Sequence, residues 1–331
     1  MITISDIAKL AGVAKSTVSR YLNGGSVSPS TKKKIEYVIR ETGYVPNTFA
    51  QSLKAKKTNI IGIVVPRLNS YAAAQTVIGI DEKLRELNCQ MLISNTSQDI
   101  DREIENIYTL AKQKVAGIIL LATQVTDAHL EAFDKIQIPV ILVGQQHKDV
   151  YSLIHNDVQA AYEMGRYILA KGHQKIAYLG VTEKDIAVGV KRKEGFKRAL
   201  SEKENIQVRY YETSFNLTEA VIQASTIIDT FNPSILVCAT DNIALGALKA
   251  AYVKGLRIPT DLSITGFGGY EVTEVIHPGL TTIKFYYKEA GGVAAKSIVK
   301  LVNGEKIERL TISNFELIER ESVDNRLVRE L

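Results

Sequence analysis

From Asn59 to about Thr281 the chain repeats one pattern, a short uninterrupted apolar run followed by a longer amphipathic stretch. The runs NIIGIVVP, QMLISN, GIILLA and PVILVG are separated by Ala72 to Asn88, Asp99 to Lys114 and Asp127 to Ile136. Strands buried on both faces read as continuous apolar runs, and amphipathic crossovers cover the sheet they form. The pattern restarts with SLIHND at Ser152 and runs through Ala160 to Lys171, KIAYLG, Val188 to Ser201, Leu217 to Thr230, SILVCA, Asn242 to Lys254, SITGF and TTIKF. The predicted fold class is therefore α/β, two facing lobes of doubly wound parallel sheet.

A small module of different composition precedes them. The first 57 residues hold ten Lys/Arg against three Asp/Glu, a net of +7 on a chain whose total is +5, which leaves −2 for everything after it. The basicity belongs to one module. Within it, DIAKLAGVAKSTVSRYLNG runs from an apolar-patterned segment through Gly12 into a second segment rich in short polar side chains, the pattern of a helix-turn-helix. Ser5 is expected to cap a first helix of Asp6 to Ala11, and Lys15 to Leu22 reads as the second. Val18, Tyr21 and Leu22 then face inward and Lys15, Ser16, Thr17, Ser19 and Arg20 outward. Arg holds guanine bidentately and Ser/Thr hydroxyls serve bases or phosphates, so Lys15, Ser16 and Arg20 are the candidate base readers. The alternative is a merely solvated polar face. Against it, Ser28-Pro29-Ser30 starts a third helix to about Thr42, which carries Lys32, Lys33 and Lys34 and whose Ile35, Val38 and Ile39 close a three-helix core.

Next comes GYVPNTFAQSLKAKKTN, where Thr48 to Leu53 reads as a short helix, marginal alone. Its Ala50 and Leu53 suit a minor-groove wedge, and a flexible linker is the competing reading. The domains read as 1–45 (helix-turn-helix), 46–58 (hinge helix and linker) and 59–331, the last with lobe 1 at about 59–156 and 287–314 and lobe 2 at about 157–285 and 315–325.

Nothing argues for catalysis, and no cofactor is expected. There is no G-x-S-x-G elbow and no phosphate-binding G-x-x-x-x-G-K-[ST] loop, and NIIGIVVPRLNS lacks the glycine-rich turn a dehydrogenase needs. The five histidines show no ligand-like spacing, so no metal site is expected. Cys89 and Cys238 lie far apart in apolar stretches and read as reduced core thiols. With neither a leader-like start nor a run of ~18 apolar residues, a soluble cytoplasmic protein without membrane attachment is expected.

TISDIAKLAGVAKSTVSRYLNG and YVPNTFAQSL closely resemble the headpiece and hinge of the LacI/GalR family of transcriptional regulators, and the resemblance continues to about Asp324. It implies that Lys15, Ser16 and Arg20 read the major groove and that Ser5, Thr17 and Asn23 hold phosphates. Asn47, Ala50 and Leu53 would work in the minor groove, with Leu53 intercalating. It further implies a homodimer on a pseudo-palindromic operator, often with a central CpG step. The two lobes resemble periplasmic sugar-binding proteins. A ligand on such sheets sits outside the carboxyl ends of the strands, which places Arg67, Gln145, Thr240, Gly268 and Phe285 at the cleft, joined by Arg192 and Phe215 from connecting segments. By motif, KRKEGF makes Arg192 an effector ligand, CATDNIALG gives Thr240 a hydrogen-bonding place, and Ser214-Phe215 offers an aromatic platform. In GFGGY, Gly268 and Gly269 stand where many sugar-binding members carry an aspartate, although paired glycines also serve turns. The arginine of VVPRLNS suits a phosphate, or else is solvated. RLNS, YLGV with KRKEGF, and CATDNIALG look most like trehalose-operon repressors, with sucrose-operon repressors also plausible relatives. The implied function is repression of a carbohydrate operon, relieved by a sugar effector such as trehalose 6-phosphate or sucrose 6-phosphate. A free-sugar effector, a co-repressor and a non-regulatory sugar receptor stay open.

Overall fold

The computed structural model describes residues 2–22, 24–44 and 58–328 and divides into two compact units, one up to Thr58 and one from Asn59. In the first, helices α1 (Ile4–Leu10), α2 (Lys15–Leu22) and α3 (Pro29–Thr42) close on Ile7, Ala8, Val18, Ile35 and Val38. Ile7, Val18 and Ile35 are completely buried, and each such side chain contributes about 1.5–3 kcal/mol. Tyr21 and Leu22 are half-buried against this core, and the Tyr21 hydroxyl donates to Glu36 at 3.0 Å. The cap of α1 is Thr3, two residues before the expected Ser5: the Asp6 amide donates to Thr3 Oγ1 at 3.4 Å, and the Thr3 amide donates to the Asp6 carboxylate at 2.9 Å. That reciprocal box needs a carboxylate or carboxamide three residues on, which Thr3 has in Asp6 and Ser5, followed by Ala8, has not. Gly12 turns the chain between α1 and α2 at φ +64, where a side chain would be strained.

The second unit holds two six-stranded sheets. Lobe 1 contains β1 (Ile60–Val65), β2 (Gln90–Asn95), β3 (Gly117–Leu121), β4 (Val140–Val143), β5 (Tyr151–His155) and β11 (Leu310–Ser313) in the order β11-β5-β4-β3-β1-β2. Lobe 2 contains β6 (Lys175–Gly180), β7 (Gln207–Glu212), β8 (Ile235–Cys238), β9 (Ser263–Gly268), β10 (Thr281–Phe285) and β12 (Phe315–Ile318) in the order β12-β10-β9-β8-β6-β7. Both thus carry the doubly wound 2-1-3-4-5 order plus one added strand, parallel in lobe 1 (β11 on β5) and antiparallel in lobe 2 (β12 on β10). β1 is buried at all six positions, as its apolar run requires. The edge strand β7, QVRYYE, is exposed or half-buried at every position and lacks such a run, which is why no strand was expected there.

Between the strands lie α4 (Tyr71–Glu86), α5 (Ile100–Lys112), α6 (Asp127–Ile136), α7 (Asp157–Ala170), α8 (Arg192–Leu200), α9 (Leu217–Phe231), α10 (Asp241–Val253), the short α11 (Val272–Val275) and α12 (Tyr287–Val302). The chain crosses between lobes three times: from β5 into α7, from β10 into α12, and between β11 and β12. The helix α12 follows a lobe 2 strand yet packs on lobe 1, its Ala290, Ala294, Ala295 and Ile298 in one core with Ile61, Ile63 and Ile80. Gly79 and Gly291 let α4 and α12 touch backbone to backbone, since an added Cβ would stand 1.9 Å from the Lys288 carbonyl oxygen and 2.1 Å from that of Thr76 respectively. Cys238 is buried as expected, whereas Cys89 sits half-buried in the turn after α4.

Candidate functional site

The carboxyl ends of both sheets face one cavity of about 140 Å³. Lobe 1 supplies Arg67 beyond β1, Gln145 beyond β4 and His155 at the end of β5. Lobe 2 supplies Asp185 beyond β6, Phe215 beyond β7, Thr240 beyond β8 and Tyr270 beyond β9. Cleft residues at strand ends are what a doubly wound sheet offers a ligand.

The two guanidiniums of the cleft are held differently. Arg192 is 4% exposed; its Nε donates to Asp157 Oδ1 at 2.8 Å and Nη1 to the Ala239 carbonyl at 2.7 Å, while its head lies 4.8 Å from the Phe285 ring centroid. Burial alone would lower its pKa, but the charge and hydrogen bond of Asp157 together with Tyr287 and Tyr178 outweigh that and hold it above the ordinary arginine value. Arg192 reaches this place through a π-helical turn, Ile186–Lys191, capped by Asp185, whose Oδ1 accepts from the Val188 amide at 3.0 Å; such turns often mark functional sites. Arg67, half-buried, stacks 4.1 Å from the ring centroid of Phe215 across the cleft, and among the described residues no carboxylate lies within 4.0 Å of it. Burial lowers its pKa, with Tyr270 and Asp185 opposing. Asp185 in turn is raised by burial, against the Val188 amide and the Arg192 charge.

Two helices begin at this cavity. Ser70 caps α4 by accepting from the Ala73 amide at 3.3 Å, and Thr240 caps α10 by accepting from Ile243 at 3.3 Å; both side chains line the cleft. Helix N-termini favour an anion nearby.

Of the seven sequence-derived effector positions, Arg67, Gln145, Arg192, Phe215 and Thr240 line this cavity. Phe285 lies behind it, 5.3 Å from His155 and 5.7 Å from Tyr287 between ring centroids, as support for Arg192. Gly268 is not among the lining residues either. At φ +147 it lets the chain fold back, and a Cβ there would stand 2.3 Å from the Tyr270 ring. That fold delivers Tyr270 into the cleft wall, where it stacks on Tyr71 at 4.1 Å and its amide donates to Asp241 at 2.8 Å. Asp241 also accepts from Thr282 Oγ1 at 2.5 Å, and burial lifts its pKa to about 6. His155, Asp157, Tyr270 and Tyr287 escaped the sequence reading. The HND at the strand-to-helix junction and the tyrosine closing GFGGY were the available signals.

In the N-terminal unit, Lys15, Ser16 and Arg20 are exposed along one face of α2, Thr17 is half-buried and Ser5 is exposed in the first turn of α1. Lys32, Lys33 and Lys34 are exposed on α3. Asn23, Asn47, Ala50 and Leu53 lie outside the described residues.

Comparison with known proteins matches residues 3–47 to the family described as bacterial regulatory proteins, lacI family, and residues 58–321 to the periplasmic binding proteins and sugar binding domain of LacI family. The sucrose operon repressor of Staphylococcus xylosus is 43% identical over 317 residues, 96% of this chain and 98% of its own length. Catabolite control protein A of Priestia megaterium is 30% identical over 93% of this chain and 94% of its own. Among solved structures, the lac repressor dimer bound to operator and the anti-inducer ONPF superposes with a TM-score of 0.90 at 24% identity, covering 98% and 99% of the two chains. The complex of the transcriptional regulator CelR with cellobiose gives 0.72 at 25% identity, covering 97% and 100%.

Proposed function

The chain belongs to the LacI family of bacterial regulatory proteins, and from that premise we propose that it is a repressor of a sucrose-utilisation operon released from its operator by sucrose 6-phosphate. It is a transcriptional regulator, not an enzyme. The outward face of α2 is the proposed reader of the major groove, Lys15, Ser16 and Arg20 at bases and Ser5, Thr17 and Asn23 at phosphates, with Asn47, Ala50 and Leu53 in the minor groove. Two copies act together on a pseudo-palindrome with a central CpG, in the cytoplasm; the solved lac repressor relative is a dimer on operator DNA. Among the described residues no helix is long and apolar enough to cross a membrane.

The observation that carries the effector reading is the charge balance of the cleft. Arg192 is already matched by Asp157, whereas Arg67 has aromatic support, no ion pair among the described residues and only the longer-range pull of Asp185, whose own pKa burial raises, so one cationic fork is open to an anion beside two helix N-termini. A free sugar leaves that fork unanswered. The relative in Staphylococcus xylosus is named for a sucrose operon, and the CelR structure holds a disaccharide in a chain of the same fold, which supports sucrose as the disaccharide; the phosphate is argued from Arg67 alone.

Release follows from linkage. A ligand that binds one lobe arrangement better than the other shifts the equilibrium by its differential affinity, about 1–3 kcal/mol in typical couplings, and a headpiece pair that must dock together loses its joint grip. The test is fluorescence anisotropy of an operator fragment titrated with sucrose 6-phosphate, trehalose 6-phosphate, sucrose and trehalose. Release by sucrose 6-phosphate alone, abolished in Arg67→Ala, is the expected result. Release by free sucrose, or undiminished release of Arg67→Ala, overturns the phosphate reading.

A further inference from the structure

Two residues of the cleft wall each carry a buried polar atom that has no hydrogen-bond partner among the described residues: Gln145 Nε2 and His155 Nδ1. Gln145 is 4% exposed and His155 8%. Both belong to the lobe 1 side of the same cavity, Gln145 in the loop just beyond β4 and His155 at the end of the adjacent β5, which pairs in parallel with β4 up to Val143 opposite Leu153. The imidazole is clamped between aromatic rings, 5.3 Å from Phe285 and edge-on to Tyr287 at 5.0 Å. A polar atom held this way finds its partner in whatever fills the cavity, since buried polar groups are otherwise hydrogen-bonded.

We infer that His155 is a specificity residue that meets a hydroxyl of the effector's sugar unit through Nδ1, with the Gln145 carboxamide beside it as the second contact. This rests on the reading that the cleft takes a saccharide, and it names what reads the uncharged part. A neutral imidazole offers one donor and one acceptor, and a sugar hydroxyl can complement either. His155 stays neutral at physiological pH because burial pushes it down to about 4, with Asp157 pulling upward and Arg192 pressing downward. A neutral wall also suits an anionic sugar better than a carboxylate, which would repel the phosphate held at Arg67. With glycine at 268 and 269, that hydroxyl contact passes to the opposite lobe.

Isothermal titration of the full chain with sucrose 6-phosphate, trehalose 6-phosphate, sucrose, glucose and inorganic phosphate tests this. His155→Phe keeps the ring against Phe285 and Tyr287 but removes Nδ1, and should weaken the sugar that binds wild type by about tenfold or more while leaving inorganic phosphate unchanged. His155→Asn puts a polar atom where Nδ1 stood and should stay within about threefold, as expected for a retained hydrogen bond. Nδ1 of the wild-type protein, followed by ¹⁵N resonance, should move on saturation with that sugar; this readout needs no variant to fold. An unmoved resonance, a His155→Phe affinity within twofold of wild type, or an equal loss in His155→Asn overturns the inference. If sucrose 6-phosphate fails to bind wild type but another sugar binds, the effector reading falls and the same ratios still decide His155; if no sugar binds, both fall.

Discussion

Arg192 and Asp157 form the one arginine or lysine ion pair among the described residues in which both side chains are almost fully buried, 5% and 3% exposed, which makes it the sharpest place to perturb the molecule. At 2.8 Å and an effective dielectric constant near 20, Coulomb's law gives a gross attraction of about 6 kcal/mol, much of it offset by the desolvation of both groups. Arg192→Met keeps the aliphatic stem against Phe285 but strands the Asp157 carboxylate, and removing one partner of a buried pair costs about 3–5 kcal/mol. Asp157→Asn should cost a similar amount, because the buried guanidinium loses its counter-charge and is left with neutral acceptors, the Ala239 carbonyl among them. The double variant should cost about 1–3 kcal/mol, as replacing a whole buried pair is often close to neutral. The coupling free energy from the cycle is then at least about 3 kcal/mol. Urea denaturation followed by tyrosine fluorescence and by circular dichroism, with operator binding as a check that the N-terminal unit is intact, measures it. Additive single effects, or a single variant within 1 kcal/mol of wild type, would refute the claim that each charge exists here only by virtue of the other.

Three further outcomes are expected. Gly79→Ala should destabilise the core unit by about 2–4 kcal/mol, because the new methyl meets the Lys288 backbone oxygen, which cannot move without shifting α12; calorimetry measures it, and a shift in Tm under 2 °C would contradict the close crossing. Burial depresses the folded pKa of both His155 and His173 to about 4, below the unfolded value near 6.5, so the stability each contributes is full above pH 6.5 and lost as pH falls towards 4, up to about 3 kcal/mol apiece. Asp241, raised to about 6, opposes them over pH 3.8 to 6, and His173→Gln should therefore lose about 2 kcal/mol less than wild type between pH 7.5 and pH 5 in urea melts. Arg20→Ala should relax sequence preference at one operator position by about 1–3 kcal/mol, whereas Lys33→Ala should weaken all sequences alike in anisotropy titrations at several salt concentrations.

Local pattern was enough for a great deal. Apolar runs of four to six residues between amphipathic stretches declared β1, β3, β4, β6 and β8, and Asp127–Ile136 begins and ends where its periodicity does. The helix-turn-helix was legible because its signals are local too: a glycine at the turn, apolar positions at helical spacing and an excess of cations confined to 57 residues. Arg67, Gln145 and Thr240 could be named because strand ends point at ligand sites in every doubly wound sheet, whatever the sequence. What composition could not reveal is who neighbours whom across the lobes. That Asp157 neutralises Arg192 depends on a hydrogen bond between residues 35 apart, and that Phe215 carries Arg67 depends on two lobes facing each other. The position of α12 on lobe 1 after a lobe 2 strand, and the fold-back that brings Tyr270 into the cleft, are set by packing and by the positive φ of Gly268 and Gly269, not by periodicity. Sequence fixes elements through interactions over a few residues; charge pairing, burial and therefore pKa arise only when distant segments share one interior, which is why the floor of this cleft emerged from the tertiary structure alone.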